Sequence, residues 1–467
     1  GALGARFSSL GLDEFFLGGR KMNKFVVALS AVASGRSSWL LIGLTGMAFA
    51  RGASAIWAAA GYVVVEFLMF LYAAPRLRDQ TEAKNDLTIS DYFASRHNDK
   101  KNALRLLSAV IIIVFSTAYV SAQFVGGGKA FSASFQVSPD AGVAITAIVV
   151  FLYTALGGFL AVSITDVIQA IFMFFALFVL PAVAIVDFGG VEAVMTAVRA
   201  QDAALLDPMA LGWGALVGFL GIGLGSPGNP HILVRYMSIE RSKDLKFSGY
   251  VGTFWNATMA IAAVVIGVVG RAYFSDAGAL PYGDAENLYP FLAQLHLHPI
   301  IFGVVVASIL AAIMSTADSM LLVCASALIR DVWQRSMKSS RELSQKELTF
   351  YSRFVIFLIV VAATIFGYIA SDVVFWLVLF AWAGLGAAFG PPILLSLFWD
   401  KANRYGAAAG MIVGMLSVIV WNQTPALKDA MYELVPAFFL SAAATIVGSL
   451  ATAAKVAEER GELGESS

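Results

Sequence analysis

Cysteine is nearly absent: Cys324 is the only one in 467 residues, which excludes an internal disulfide and any cysteine-held metal cluster. Histidine is scarce, with four copies, and that argues against a zinc hydrolase. Charge is the largest shortage. Only 13% of residues are charged, against about a quarter in a soluble globular chain. The 31 Lys+Arg and 31 Asp+Glu cancel to net zero, which excludes a broadly basic nucleic-acid binder. Short repeats and low-complexity tracts are missing, and no nucleophile–base set or metal constellation points to an enzyme. What fills the chain is apolar surface: 59% hydrophobic residues and a mean hydropathy of +0.78. A chain of this size without surface charge needs lipid around it. The sequence reads as an all-α polytopic membrane protein.

A bilayer-crossing helix needs about 20 mostly apolar residues. Such runs fall at 24–50, 54–75, 103–129, 141–161, 164–186, 211–236, 246–274, 299–333, 348–370, 373–398, 404–422 and 432–454, which predicts twelve spans. They are too long and too continuously apolar for the alternating strands of an outer-membrane barrel. With the N-terminal segment in the cytoplasm, twenty-five basic residues face inward, among them Arg76, Arg78, Lys100 and Arg335. Only Arg51, Lys129, Arg199, Arg271 and Lys428 lie at the outer side, and Arg36 alone is inside a span. That asymmetry sets the orientation. Outside, segment 271–298 carries Asp284, Glu286 and Leu288–Leu295, a candidate short helix over the outer mouth.

Two spans are interrupted. The first is small and polar at its centre, Ala31 to Trp39 with Ser34-Gly35-Arg36-Ser37-Ser38. The sixth, Gly221 to His231, holds four glycines together with Pro227 and Pro230. Proline removes a donor and clashes one turn back, so this stretch cannot be a regular helix. Freed backbone at membrane depth is tolerated where it lines a cavity or binds something. Breaks five helices apart, in halves of opposite orientation, point to an inverted-repeat transporter with a site at the midplane. The glycines of Gly384–Gly390 read instead as helix packing. Cys324 reads as packing as well, and His231 as a hydrogen-bonded helix-end residue more readily than as a proton carrier.

The eighth span places Ala312, Ser315, Thr316 and Ser319 on one helical face. Two hydroxyls and a carbonyl are hard oxygen ligands without nitrogen or sulfur, a set suited to an alkali cation. Carbonyls freed near Ala33 and Arg36 complete such a shell; the alternative is that the hydroxyls bond back to their own helix. Four ionisable residues lie within spans: Arg36, Glu66, Asp166 and Asp318. Each costs at least about 2.5–3.5 kcal/mol at mid-bilayer unless paired or hydrated. Their formal balance of −2 calls for one or two sodium ions, or for one sodium and a protonated carboxyl such as Glu66. Arg36 is either a structural partner of Asp318 or Glu66, or a holder of a substrate carboxylate. Asp166 follows a short turn and has an alternative place near a membrane face.

The chain resembles the sodium/solute symporter family, most closely its sodium/proline symporter branch. The resemblance runs from Leu10 to the twelfth span. It is carried by Phe16-Leu17-Gly18-Gly19-Arg20, Ser38-Trp39-Leu40-Leu41, Thr154 to Val162 with Thr165-Asp166, Pro230-His231-Ile232-Leu233 with Arg235, and Ile309 to Thr316. It implies a leucine-transporter-type fold with two inverted five-helix repeats, at 24–186 and 211–398. Two additional helices would follow at 404–454, between a cytoplasmic segment 1–23 and a cytoplasmic tail 455–467. Members usually carry one helix before the point where this chain begins, which implies thirteen spans in the full protein. The family's main sodium site maps onto the backbone of Ala33, Arg36 and Ala312 and the hydroxyls of Ser315 and Thr316. A further sodium site, found in some members, maps near Asp166, Ser315, Asp318 and Ser319. The proline branch typically has an aspartate where this chain has Gly35, and aromatic residues where it has Ile222 and Ser226.

The expected protein is a sodium-coupled symporter in a bacterial plasma membrane. It would import proline or a related small amino acid by alternating access. Solute contacts are expected from Arg36, Trp39, Gly223, Ser226 and Asn229. A sensory membrane domain of the same fold, and a proton-coupled permease for a monocarboxylate or sugar, are the alternatives.

Overall fold

The computed structural model describes residues 17–156, 159–336, 345–369 and 373–460. Among the described residues, helices fall within each of the twelve predicted stretches. The first span is α1 (Lys24–Ser38) and α2 (Leu44–Arg51), and the second is α3 (Ile56–Leu68) and α4 (Ala74–Ala83). Short α5 (Ile89–Arg96) lies in the loop between the second and third predicted spans. Then come α6 (Ala103–Phe135), α7 (Pro139–Leu156), α8 (Phe159–Asp187), short α9 (Val191–Gln201), α10 (Trp213–Gly221), α11 (Pro230–Ser238) and α12 (Leu245–Tyr273). The chain continues through α13 (Leu288–His296), α14 (Pro299–Ser326), α15 (Gln345–Ile369), α16 (Val374–Phe398), α17 (Arg404–Gln423), α18 (Pro425–Ala430), α19 (Leu434–Ala451) and α20 (Ala453–Arg460). Among the described residues nine helices are long and apolar enough to cross a membrane. One of them, Lys24–Ala83, holds both of the first two predicted spans, which part at Gly52, where φ is 67°.

The helices carry the pattern of lipid solvation. On α8, Ile164, Ile168, Ile171 and Phe175 form an exposed apolar stripe at helical spacing. The opposite face buries Asp166, Gln169, Ala170, Met173 and Leu177. Polar groups sit inside and large apolar ones outside, as the cost of an unpaired polar group in hydrocarbon demands. At the centre α14 packs against α1, α6 and α8, and α1 also meets α11 and α12. The broken sixth span packs on α3 and α16, while α17 and α19 pair beside α16.

Both breaks are present. In the first span Ser37 leaves the helix with φ 50° and ψ −170°, a region nearly confined to glycine that costs of order 1–3 kcal/mol. Its hydroxyl accepts from the Trp39 amide at 3.1 Å. In the sixth span the chain runs as a 3₁₀ helix over Ile222–Gly228 and is extended at Asn229 before α11. This stretch fits only because facing positions lack side chains. A Cβ on Gly61 would lie 2.1 Å from the Leu220 carbonyl oxygen, and one on Gly223 would lie 2.2 Å from that of Gly61. Gly61→Val is therefore expected to abolish a monodisperse folded species in fluorescence-detected size exclusion. Gly303→Val, on α14 with nothing within 4 Å of its Cβ, should run as the unaltered protein.

The expected outer helix is α13. Just before it, Glu286 accepts from the Val374 and Phe375 amides (both 2.8 Å) at the start of α16, and it pairs with Lys129 (2.5 Å). Burial raises the Glu286 carboxyl above its usual range, against the opposing pull of Lys129. On α5, Asp91 binds Arg330 (2.8 Å) and Arg105. Burial alone would raise Asp91, yet these two guanidinium groups hold it below the usual carboxylate range. Thr88 donates to Asp331 in the same cluster, 3.0 Å away.

Candidate functional site

The break in α1 faces the polar side of α14. Ser315 Oγ lies 3.0 Å from both the Ala33 and the Ala312 carbonyl oxygens. Thr316 Oγ1 donates to the Ser34 carbonyl (2.8 Å), and Ser34 Oγ donates back to the Ser315 carbonyl (3.0 Å). Ala33, Ala312, Ser315 and Thr316 are fully buried. The structure thus gathers four of the five residues expected at the main ion site, and the oxygens they bring together are uncharged. The fifth, the Arg36 carbonyl, accepts from the Trp39 amide. Among the described residues no group of three His, Cys, Asp or Glu could hold a metal. The arrangement therefore suits a weakly demanding monovalent cation, with broken-helix carbonyls and hydroxyls as ligands.

Arg36 turns its side chain the other way. It pairs with Glu66 of α3, not with Asp318, and its guanidinium carbon sits 3.9 Å from the centre of the Tyr62 ring. Asn256 of α12 donates to the other Glu66 oxygen at 2.6 Å. Arg36 keeps its Nε buried with no hydrogen-bond partner among the described residues. It borders a small cavity also lined by Gly35, Trp39, Tyr62, Tyr119, Ile222 and Trp382. Next to it lies a vestibule of about 480 Å³ lined in part by Arg51, Lys428 and Asp429. Ile222 and Leu379 line both spaces, so they form the partition. Hydrogen bonds hold it: Trp382 Nε1 donates to the Ile222 carbonyl (2.8 Å) and Tyr432 to that of Leu379 (2.7 Å).

Of the five expected solute residues, Arg36 and Trp39 line this cavity, and Gly223, Ser226 and Asn229 are not among its lining. Gly223 packs on Gly61. Ser226 is fully buried, and Asn229 Nδ2 donates to the Gly225 carbonyl at 2.8 Å. His231 is buried with its ring against Tyr119 and Trp382. Tyr62, Tyr119 and Trp382 were not readable as site residues, since each sits in a continuous apolar run.

Asp166 is fully buried in the protein. Its Oδ2 accepts from Ser30 (2.6 Å), Ser34 (3.2 Å) and Arg235 (3.0 Å). Arg235 is the group that the count of embedded charges left out. It stands one residue from the end of the sixth predicted span, and only the fold shows it 1% exposed beside Asp166. With Arg235 included, the embedded groups balance to −1, not −2. Asp318 is fully buried; its Oδ1 accepts from Ser319 (3.1 Å), and its Oδ2 has no partner among the described residues.

Residues 15–414 match the sodium:solute symporter family. The chain belongs to that family. Relatives within it include the osmoregulated proline transporter of Bacillus subtilis, 40% identical over 94% of this chain and 90% of its own length. The sodium/proline symporter of Escherichia coli is 38% identical, over 95% of this chain and 88% of its own. Among solved structures, an outward-open Na⁺-coupled sialic acid symporter superposes with a TM-score of 0.80 at 18% identity, covering 96% of this chain and 94% of that one. The transporter MhsT, solved with L-phenylalanine, gives a TM-score of 0.52 at 15% identity over 92% and 98%. The symporter is thus a multi-pass membrane protein with the leucine-transporter-type fold, and its relatives are transporters.

Proposed function

We propose that this family member imports a small zwitterionic solute, L-proline first among them, together with sodium by alternating access. One observation carries the reading. The stretch from Ala33 to Ser37 gives its carbonyls to Ser315 and Thr316 on one side, and the Arg36 side chain on the other to a cavity of about 20 Å³ that must widen to admit a solute. A cation that orders those carbonyls also fixes Arg36, and each ligand then stabilises the backbone the other needs. In this reading Ala33, Arg36, Ala312, Ser315 and Thr316 hold the sodium ion, and Arg36 and Trp39 hold the solute. Gly223, Ser226 and Asn229 shape the moving half of the pocket. Segments 24–186 and 211–398 are the two inverted repeats, with 404–454 added.

Charge balance supports a zwitterion. Arg36 is already neutralised by Glu66, so a monocarboxylate would bring one uncompensated charge into a buried site. A zwitterion brings none. Its carboxylate can take the free Arg36 Nε edge, while its ammonium meets the faces of Trp39, Tyr62, Tyr119 or Trp382. The names of the two relatives favour proline within that class. In proteoliposomes, an inward sodium gradient is expected to drive labelled L-proline uptake, with competition by other zwitterions and none by lactate or glucose. Uptake driven by a pH gradient alone would remove sodium from the reading. Binding without translocation would make the chain a sensor.

A further inference from the structure

The vestibule beside the partition carries chemistry that neither the ion nor the solute assignment uses. Its volume of about 480 Å³ lies within the range of about 300–1,000 Å³ usual for small-molecule pockets. Four rings line it: Phe219, Trp376, Phe380 and Tyr432. Glu433, at the start of α19, lines it too and is only 4% exposed. Asn422 Nδ2 donates to Glu433 Oε1 at 3.3 Å, and Lys428 attracts the carboxylate from an exposed position. The other charges of the lining, Arg51 and Asp429, are exposed like Lys428. Water and salt screen those three, and they screen a buried carboxylate much less. The field inside the vestibule is therefore negative. The rings reinforce it, since an aromatic face attracts cations.

We propose that this vestibule is a binding site for a lipophilic organic ammonium, with its charge at Glu433 and its apolar part among the four rings. An anion of the same shape is disfavoured by the same carboxylate. The floor of the site is the partition. Tyr432 donates to the Leu379 carbonyl (2.7 Å). The Phe219 ring meets Phe375 edge-on at 6.2 Å, and Phe375 stacks on Trp39 at 5.3 Å. A ligand packed on Tyr432 and Phe219 thus holds the closed arrangement over the solute cavity. It brings no carboxylate to the Arg36 edge, so it acts as a blocker and not as a passenger. The site stands independently of the sodium and proline assignments; only its effect on uptake rests on them.

The test is isothermal titration of the purified full chain with benzyltrimethylammonium, benzyl alcohol and benzenesulfonate. The cation is expected to bind one site per chain, at least about tenfold more tightly than the other two. Equal binding of all three would show only partitioning onto apolar surface, which overturns the proposal. Glu433→Gln keeps an acceptor for Asn422 and should weaken the cation about tenfold or more, the loss of one charge-assisted contact. Ala215→Trp, also on the lining, fills the space without altering a charge and should abolish binding. Unchanged affinity in either folded variant overturns the site. Lys428→Met removes a cation that draws on the same carboxylate and should tighten binding severalfold; failure to tighten overturns the role of Glu433. In proteoliposomes the compound should lower sodium-driven L-proline uptake without being accumulated itself. Accumulation, or full uptake at saturating compound, overturns the block.

Discussion

Ser315→Ala/Thr316→Ala is expected to raise the sodium concentration for half-maximal stabilisation by roughly a hundredfold to ten-thousandfold. The estimate follows from two hydroxyl ligands, each contributing about 1.5–3 kcal/mol toward a charged partner, with about 1.4 kcal/mol per tenfold. Both hydroxyls also join α14 to α1, at the Ala33 and Ser34 carbonyls, so some loss of stability without sodium is expected too. The two effects separate in a thermal-shift titration. If the hydroxyls are ion ligands, the sodium-dependent rise in Tm disappears over the usual range. If they only tie the helices together, Tm falls by the same amount at every sodium concentration, and the ion-site assignment is wrong. Ser308→Ala is the matched control. Its hydroxyl donates to the Val305 carbonyl of its own helix (2.7 Å) and makes no contact with the first break among the described residues, so the sodium dependence should not move.

What the sequence showed best were properties set by a single helix. Continuous apolar runs gave the spans, because lipid solvation depends on local composition. The glycines and prolines of 221–231 showed the second break, because proline's missing donor is a property of the residue itself. The face Ala312, Ser315 and Thr316 followed from helical periodicity, and the fold turns it to the carbonyls of Ala33 and Ser34. Properties that need two helices were harder to read. Arg36 had two possible partners at similar reach, and only the packing of α1 on its neighbours selects Glu66 over Asp318. Arg235 stands one residue from the end of a predicted span, and that it reaches Asp166 depends on the angle at which α11 restarts after Asn229. The first break itself sits at Ser37, two residues beyond Gly35. Residue type alone would have favoured the glycine. The cavity rings Tyr62, Tyr119 and Trp382 carried no signal, since an aromatic residue in an apolar run looks like core.

Glu66→Gln is expected to destabilise the protein by about 3–5 kcal/mol, because it leaves the Arg36 guanidinium buried without its counter-ion. Arg36→Met strands Glu66 and should cost a similar amount, somewhat relieved by Asn256. Arg36→Met/Glu66→Gln removes both charges and should recover most of the stability. Solute binding discriminates between the two roles that Arg36 can have. A purely structural pair predicts that the double variant binds L-proline as the unaltered chain does. A charge-reading pair predicts a folded double variant with sodium binding intact and L-proline affinity reduced about a hundredfold or more, the loss of one charge-assisted contact. Position 35 offers a sharper check. A Cβ on Gly35 would lie 3.7 Å from Glu66 Oε1 and 3.3 Å from Ile232 Cδ1, so an aspartate there reaches the space that the Glu66 carboxylate fills. Gly35→Asp/Glu66→Gln moves the carboxylate from α3 to α1 while keeping Arg36 paired. If the site reads charge by position, this variant regains both stability and L-proline affinity relative to Glu66→Gln, once Ile232 yields a few tenths of an ångström. If stability returns and affinity does not, the carboxylate must be presented from α3, and the movement of α3 against the first break belongs to the binding step.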